Sequence, residues 1–218
     1  MSPPPPLVLH SLLPSELLDY VLTHLSATST LVVCSTRDAF LYELQACVRD
    51  GAEPGERLII PTLQLIAASR SIHLAFSPTL HHLRAYLSAF HSRTSDTLPA
   101  TSEFPALCLV NPVALHRSLP DHSAQGLSRT FAAAVDTAAR SCMRLMVVEY
   151  AAPPASSQDG GNGANKTVWD EQVPLLNGTV MGLRGEERGW TGRTVKIRRV
   201  LERWFVFSED DNHNAAMT

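Results

Sequence analysis

ALCLVNPVALHRSLPDHSAQGLSRTFAAAVDTAARSCMRLMVVEY, residues 106–150, is the stretch that decides the fold. It opens on a continuous apolar run, Ala106–Val110, halted by Asn111-Pro112, and closes on a second, Arg144–Tyr150. Between them, Gly126–Ser141 carries Leu127, Phe131, Val135 and Ala138 at spacings of three and four, the period of a helix with one buried face. A strand that is apolar at every position, rather than at alternate ones, is covered on both faces. Two such strands joined through a helix make a β-α-β unit with parallel strands.

Working outward, the same alternation recurs toward the N-terminus. Residues 1–6 are a proline-rich leader, and Leu7–His10 is a short strand. Ser15 is placed to cap a helix from Glu16 to about Leu25, with Leu17, Leu18, Val21, Leu22 and Leu25 on its apolar side. Thr30–Ser35 reads as a buried strand, and a helix from about Asp38 to Val48 stops at Asp50-Gly51. Leu58–Ile60 is a brief apolar run, and Leu63–Ser69 supplies one or two helical turns. Ser71–Phe76 is the next strand, and Ser77-Pro78 opens a helix whose stripe is Leu80, Leu83, Leu87 and Phe90. His91–Phe104 is a polar linker leading back to the opening stretch.

On the C-terminal side, residues 151–168 are rich in Pro, Gly, Ser and Asn and read as a flexible loop. Trp169–Asn177 and Arg193–Phe207 read as strands of a hairpin with Gly189–Gly192 at its turn, and 208–218 as a disordered acidic tail. The fold class expected is α/β: a mainly parallel sheet flanked by helices on both faces, with a C-terminal antiparallel hairpin, in one domain over 7–207.

Composition narrows the function. At 218 residues with 44% hydrophobic and 18% charged residues, the chain can bury a sizeable core and is too apolar for a disordered protein. No apolar run approaches the roughly 20 residues that span a bilayer. The start, Met1-Ser2 followed by four prolines, lacks the basic and apolar regions of a signal peptide, so an intracellular protein is expected. The 4 cysteines form no CxxC pair and read as buried free thiols. Net charge is -3, with lysine only at 166 and 196.

The search for catalytic chemistry returns little. A phosphate-binding loop needs glycines that let the backbone wrap the phosphates and a lysine that reaches them. Gly160–Thr167 comes nearest, with Asn165 at a required glycine and Pro174 forbidding a long helix after it. The slot after the first strand reads Ser11-Leu12-Leu13-Pro14-Ser15, without glycine or lysine. The 9 histidines include no HxxxH or HExxH pair: His81 and His82 diverge on a helix, His73 alternates in a strand, and His116 and His122 flank a turn. No GxSxG elbow occurs, so no catalytic residue, cofactor or metal site is expected. Asn165-Lys166-Thr167 and Asn177-Gly178-Thr179 match the glycosylation pattern, which an intracellular chain does not use.

The concentrated charge is Arg193–Arg203, five basic residues and one acid, a local +4. Read as a strand, it turns Val195, Ile197 and Leu201 inward and Lys196 and Arg198 to solvent. Arginines beside Trp190 and Trp204 suit nucleic-acid phosphates and stacked bases, although charge also keeps edge strands soluble. The DNA-contact candidates are Arg193, Lys196, Arg198, Arg199, Arg203 and Lys166.

In order and spacing, Leu7–Phe207 resembles the core of the RecA-family recombinases, specifically a degenerate eukaryotic recombinase paralogue. Thr30–Phe40 (TLVVCSTRDAF) is similar to the strand that the family follows with Asp-Thr-Glu-Gly-Thr-Phe, with Arg37 where the family keeps its catalytic glutamate. Leu107–Pro112 (LCLVNP) is similar to the Walker B strand, with Asn111 for the metal-binding aspartate. Leu145–Tyr150 resembles the strand leading into the second DNA-binding loop, and Arg193–Phe207 the C-terminal hairpin region. With the glycine-lysine loop also missing, the resemblance implies that no carboxylate orients an attacking water and that the chain is not an enzyme. Small paralogues without an ATP site are typical of the Shu complex, which assists recombinase filaments alongside a SWIM-domain partner. The resemblance therefore implies a nuclear, non-catalytic accessory subunit in DNA repair by homologous recombination. Its partners would be another RecA-like paralogue, a SWIM-domain protein or the recombinase itself, together with DNA but no membrane. The alternative is an ATP-site-free RecA-fold scaffold of another assembly, Elongator-like, binding RNA or protein.

Overall fold

The uninterrupted apolar runs build the centre of the protein. The computed structural model describes residues 3–9, 12–25, 28–49, 62–91, 104–117, 119–150, 167–177 and 193–208. In chain order these form β1 (Leu7–Val8), α1 (Pro14–His24), β2 (Ser29–Val33), α2 (Arg37–Arg49), α3 (Leu63–Ser69), β3 (Ile72–Phe76), α4 (Leu80–Ala89), β4 (Ala106–Val110), α5 (Ala124–Arg140) and β5 (Arg144–Val148). A 3-10 turn (Val168–Asp170), β6 (Gln172–Pro174), β7 (Thr194–Lys196), α6 (Ile197–Leu201) and β8 (Val206–Phe207) follow.

Six strands form one sheet in the order β3-β2-β4-β5-β1-β8, and every ladder in it is parallel. Alternate residues divide between its faces. Val32, Leu107, Leu109, Leu145 and Val147 pack with Leu83 and Leu87 of α4, Phe131 and Ala134 of α5, and Ile197 and Leu201 of α6. Leu31, Val33, Cys108, Val110, Met146 and Val148 pack with Leu17 and Val21 of α1 and Phe40 of α2. The fold is thus the expected α/β sheet with helices on both faces, plus a separate antiparallel pair, β6 with β7.

Several boundaries moved, each for a local reason. Helix α1 starts at Pro14, because its first position needs no N–H, and Leu13 rather than Ser15 precedes it. Helix α4 is capped by Thr79, whose hydroxyl accepts the His82 N–H, while Ser77 prolongs the strand by donating its N–H to Val33. Ser123 caps α5 by accepting the Gly126 N–H.

The C-terminal reading needs a larger correction. Arg193–Phe207 is not one strand. Three residues pair with β6, after which Ile197, Val200 and Leu201 recur at helical spacing and the chain coils into α6. It then joins the main sheet beside β1, where Leu7 pairs with Val206. The leader is tied down by the same strand, since the Pro6 carbonyl accepts the Val206 N–H. Val168 belongs to the 3-10 turn and Thr167 directly precedes it, and Ser208 donates to the Val8 carbonyl. Leu58–Ile60, residues 92–103, 151–166 and 209–218 lie outside the described residues.

A polar cluster fixes the β4–α5 connection. Arg84 donates from Nε to the Thr130 hydroxyl, from one terminal nitrogen to the Asp121 carboxylate at 2.9 Å, and from the other to the Gly126 carbonyl. His116, fully buried, donates from Nδ1 to the Asp121 carbonyl, which leaves Nε2 to accept from the Thr130 hydroxyl at 3.1 Å. Asn177 closes the cluster on Asp121 and Ser123.

Candidate functional site

In open parallel sheets, ligands lie beyond the carboxyl ends of the strands, where neighbouring connections leave in opposite directions. Here the chain moves outward from β2 to β3 but inward from β4 to β5, so the reversal falls between β2 and β4. The residues after β2 and after β4 flank it, and the same end of the sheet continues through those after β5 and between β1 and α1.

The described residues between β1 and α1 are engaged by the chain itself. Leu12 forms a parallel bridge with Tyr150, which continues the β1 direction where a phosphate cradle would have to loop away. The Glu16 carboxylate turns back to accept the Leu13 N–H at 2.7 Å. It places a negative charge at the positive end of α1, the position an anionic ligand would need. Ser15 is wholly buried, with no partner for its hydroxyl. Ser11 lies outside the described residues.

The neighbouring positions are equally committed. Thr36 caps α2 by accepting the Ala39 N–H, and Arg37 begins that helix exposed to solvent. Asn111 has a φ of 57°, a left-handed conformation that asparagine tolerates. Its N–H donates to Val148 and its side-chain oxygen accepts the Tyr150 N–H at 2.8 Å. Asn111 therefore laces β4 to β5 and its amide oxygen is engaged.

Glu149 is the residue at this edge that sequence reasoning passed over. It is 2% exposed and accepts the Val113 N–H at 2.5 Å. Burial raises its pKa to about 8, against the opposing pull of the Val113 and Ala114 amides and the Arg117 charge. Burial thus favours its neutral, protonated form. Its signal was a carboxylate at the end of the apolar run RLMVVEY. Beside it, burial first and the Glu149 charge second push the Cys34 thiol well up, and burial pushes Cys108 up to about 12. Neither thiol is a nucleophile at neutral pH. Cys47 is half-buried, and Cys142 departs from the expectation of a buried thiol: it is exposed just past α5 with φ 51°.

The basic residues lie at the far edge of the sheet, around α6. Lys196 pairs with Asp170 at 3.0 Å, and its hydrogen bond holds the Asp170 carboxyl below the usual range. Arg199 pairs with Glu202 at 3.0 Å. Arg198 is half-buried, with its guanidinium 4.5 Å from the centre of the Phe207 ring, and Arg203 lies over Trp204. Among the described residues no acid pairs with Arg193, Arg198 or Arg203. Lys166 lies outside the described residues, as does Trp190. The helix thus separates a cluster that a strand would have aligned.

Among the described residues no group of three His, Cys, Asp or Glu side chains could hold a metal ion, and no helix is long and apolar enough to cross a membrane. Comparison with protein-family models and with curated proteins finds no match to this chain.

Proposed function

We propose that this chain is a non-catalytic, RecA-like accessory subunit of a nuclear homologous-recombination complex, acting on recombinase filaments through protein and DNA contacts. The observation that carries the reading is the engagement of Leu12 and Leu13 at the start of α1. Leu12 is bridged to Tyr150, and the Glu16 carboxylate takes the Leu13 N–H at the helix end, where an anionic ligand would otherwise sit. Arg37 and the engaged Asn111 stand at the two other positions where the RecA resemblance implies carboxylates. What remains for function is surface, where Arg193, Arg198 and Arg203 gather around α6 without an ion pair among the described residues.

The test is a titration of the full chain, with any co-purifying partner, against duplex and single-stranded oligonucleotides over a range of salt. Each phosphate contact steepens the fall of log K with log salt by about 0.9 on duplex and about 0.7 on single strands. Changing Arg193, Arg198 and Arg203 to Gln should flatten that slope by one to three such steps, and more than changing Lys196 and Arg199. An unchanged slope removes DNA from the proposal. A thermal shift with ATP and magnesium would remove its non-catalytic half. Co-purification with a SWIM-domain protein or a recombinase is expected, and recovery of tRNA-modifying subunits would point instead to an Elongator-like scaffold.

A further inference from the structure

One edge of the sheet carries an apolar strand with which no second described strand pairs. β3 pairs with β2 on one side, and among the described residues nothing pairs with the other. Leu74, its central residue, is 48% exposed. Helix α2 meets this strand through Phe40, the only buried residue of its thirteen, whose ring lies 6.0 Å from that of Phe76. Tyr42 of α2 is 73% exposed, and Leu63 and Ile66 of α3, the helix that leads into β3, are exposed too. An exposed strand edge offers unpaired N–H and C=O groups to any extended chain, and natural sheets protect such edges with charge, proline or bulges. β3 (IHLAF) and α3 (LQLIAAS) hold no charged residue and no proline.

We infer that β3 is a self-association edge, joining two copies of this chain by antiparallel β3–β3 pairing about a two-fold axis at Leu74. Such an interface presents the same patch from both copies, so the strand must suit its own reverse. It does. Centred on Leu74, the pairing sets Leu74 against Leu74 of the other copy, Ile72 against Phe76, and His73 against Ala75. Ile72, Leu74 and Phe76 share one face, the face on which Leu31 and Val33 of β2 lie in register with Leu74 and Phe76. Cross-strand apolar pairs of this kind stabilise a sheet, whereas like charges placed opposite each other would oppose it, and the strand has none. The neutral edge lets two chains of net charge -3 approach without local repulsion. This inference is independent of the nucleic-acid reading, which concerns the opposite edge of the sheet.

Sedimentation of the purified full chain over a concentration series tests it. The wild type should pass from monomer to dimer as concentration rises, and Leu74→Lys should remain monomeric with an unchanged circular dichroism spectrum, since the side chain is already half in solvent. Directly opposed residues have Cβ atoms about 4.5–5.5 Å apart. In a Cys142→Ser background, Leu74→Cys should therefore form a disulfide-linked dimer on mild oxidation, and His73→Cys should not. A wild type that stays monomeric at every concentration, with slow amide exchange along β3, would mean that the chain covers this edge itself and would overturn the inference. So would a dimer that Leu74→Lys leaves intact.

Discussion

Glu149→Gln should make the protein's stability less sensitive to pH, and the size of the effect follows from the burial of one carboxyl. In the unfolded chain the group ionises near 4.5, and in the fold near 8, because the sheet edge excludes the water that would solvate its charge. Between those values the folded state holds a proton that the unfolded state has lost. Stability from this group is therefore fully present below about 4.5 and falls as pH rises, by about 1.4 kcal/mol per unit, until the folded carboxyl itself ionises near 8. At pH 7 the accumulated cost is about 3 kcal/mol on that scale. Glutamine keeps an oxygen to accept the Val113 N–H and has no proton to lose. Its new NH2 group, if left without an acceptor, costs about 1–3 kcal/mol and offsets the gain at neutral pH by that amount, but this cost does not vary with pH. The difference in stability between variant and wild type should therefore grow in the variant's favour by about 1.4 kcal/mol per unit between pH 5 and pH 8. Urea denaturation of both proteins at four pH values measures it, and contributions from other titrating groups cancel in the difference. A difference that stays flat across this range would refute the buried, neutral Glu149.

Two further outcomes test the polar cluster under α5. Gly126→Ala sets two effects against each other: alanine gains up to about 1 kcal/mol of helix propensity, but its Cβ would lie 2.0 Å from the Asp121 carbonyl oxygen, a backbone atom. Overpacking costs about 1–3 kcal/mol, and moving Asp121 also disturbs its bonds to Arg84 and His116, so a lower urea midpoint is expected. A raised midpoint would mean that the turn yields freely. His116 is held neutral, with its pKa lowered chiefly by burial, and the nearby charges of Arg84, Asp121 and His122 shift it less. A depressed histidine weakens the fold as pH falls below the unfolded value near 6.5, when the unfolded chain takes up the proton first. Wild type should lose stability from pH 6.5 downward, and His116→Gln, weaker at neutral pH, should lose less over the same interval; equal losses in the two proteins would assign the acid sensitivity to other groups.

Much of the frame was legible because burial on both faces leaves a direct mark. TLVVCS and ALCLV have no polar alternation, and each became a fully buried strand, β2 and β4. The stripe Leu80, Leu83, Leu87 became the buried face of α4. The C-terminal segment was not legible in the same way. Val195, Ile197 and Leu201 satisfy a strand's alternation, while Ile197, Val200 and Leu201 equally satisfy a helix, and only packing against α5 and the 3-10 turn chose the second. The candidate site divided along similar lines. The sequence displayed a slot without glycine or lysine, but that Glu16 and Leu12 are engaged there depends on where the side chain and the Tyr150 backbone come to rest. The five basic residues of Arg193–Arg203 looked alike in sequence, and neighbours distant along the chain distinguish them, Asp170 for Lys196 and Phe207 for Arg198.

Taken by itself, the order of apolar runs and helical stripes determined a parallel α/β sheet, and residue identity showed a β1–α1 connection without glycine or lysine, because hydrophobic period and residue identity are local properties of the chain. Which strand lies beside which was decided by the tertiary structure alone. A run apolar on both faces is indifferent to its neighbours, so nothing local announces that β8 ends beside β1 or that β3 is left at the rim. The same holds for Glu149, whose proton depends on the dielectric that surrounding elements create rather than on the residues flanking it.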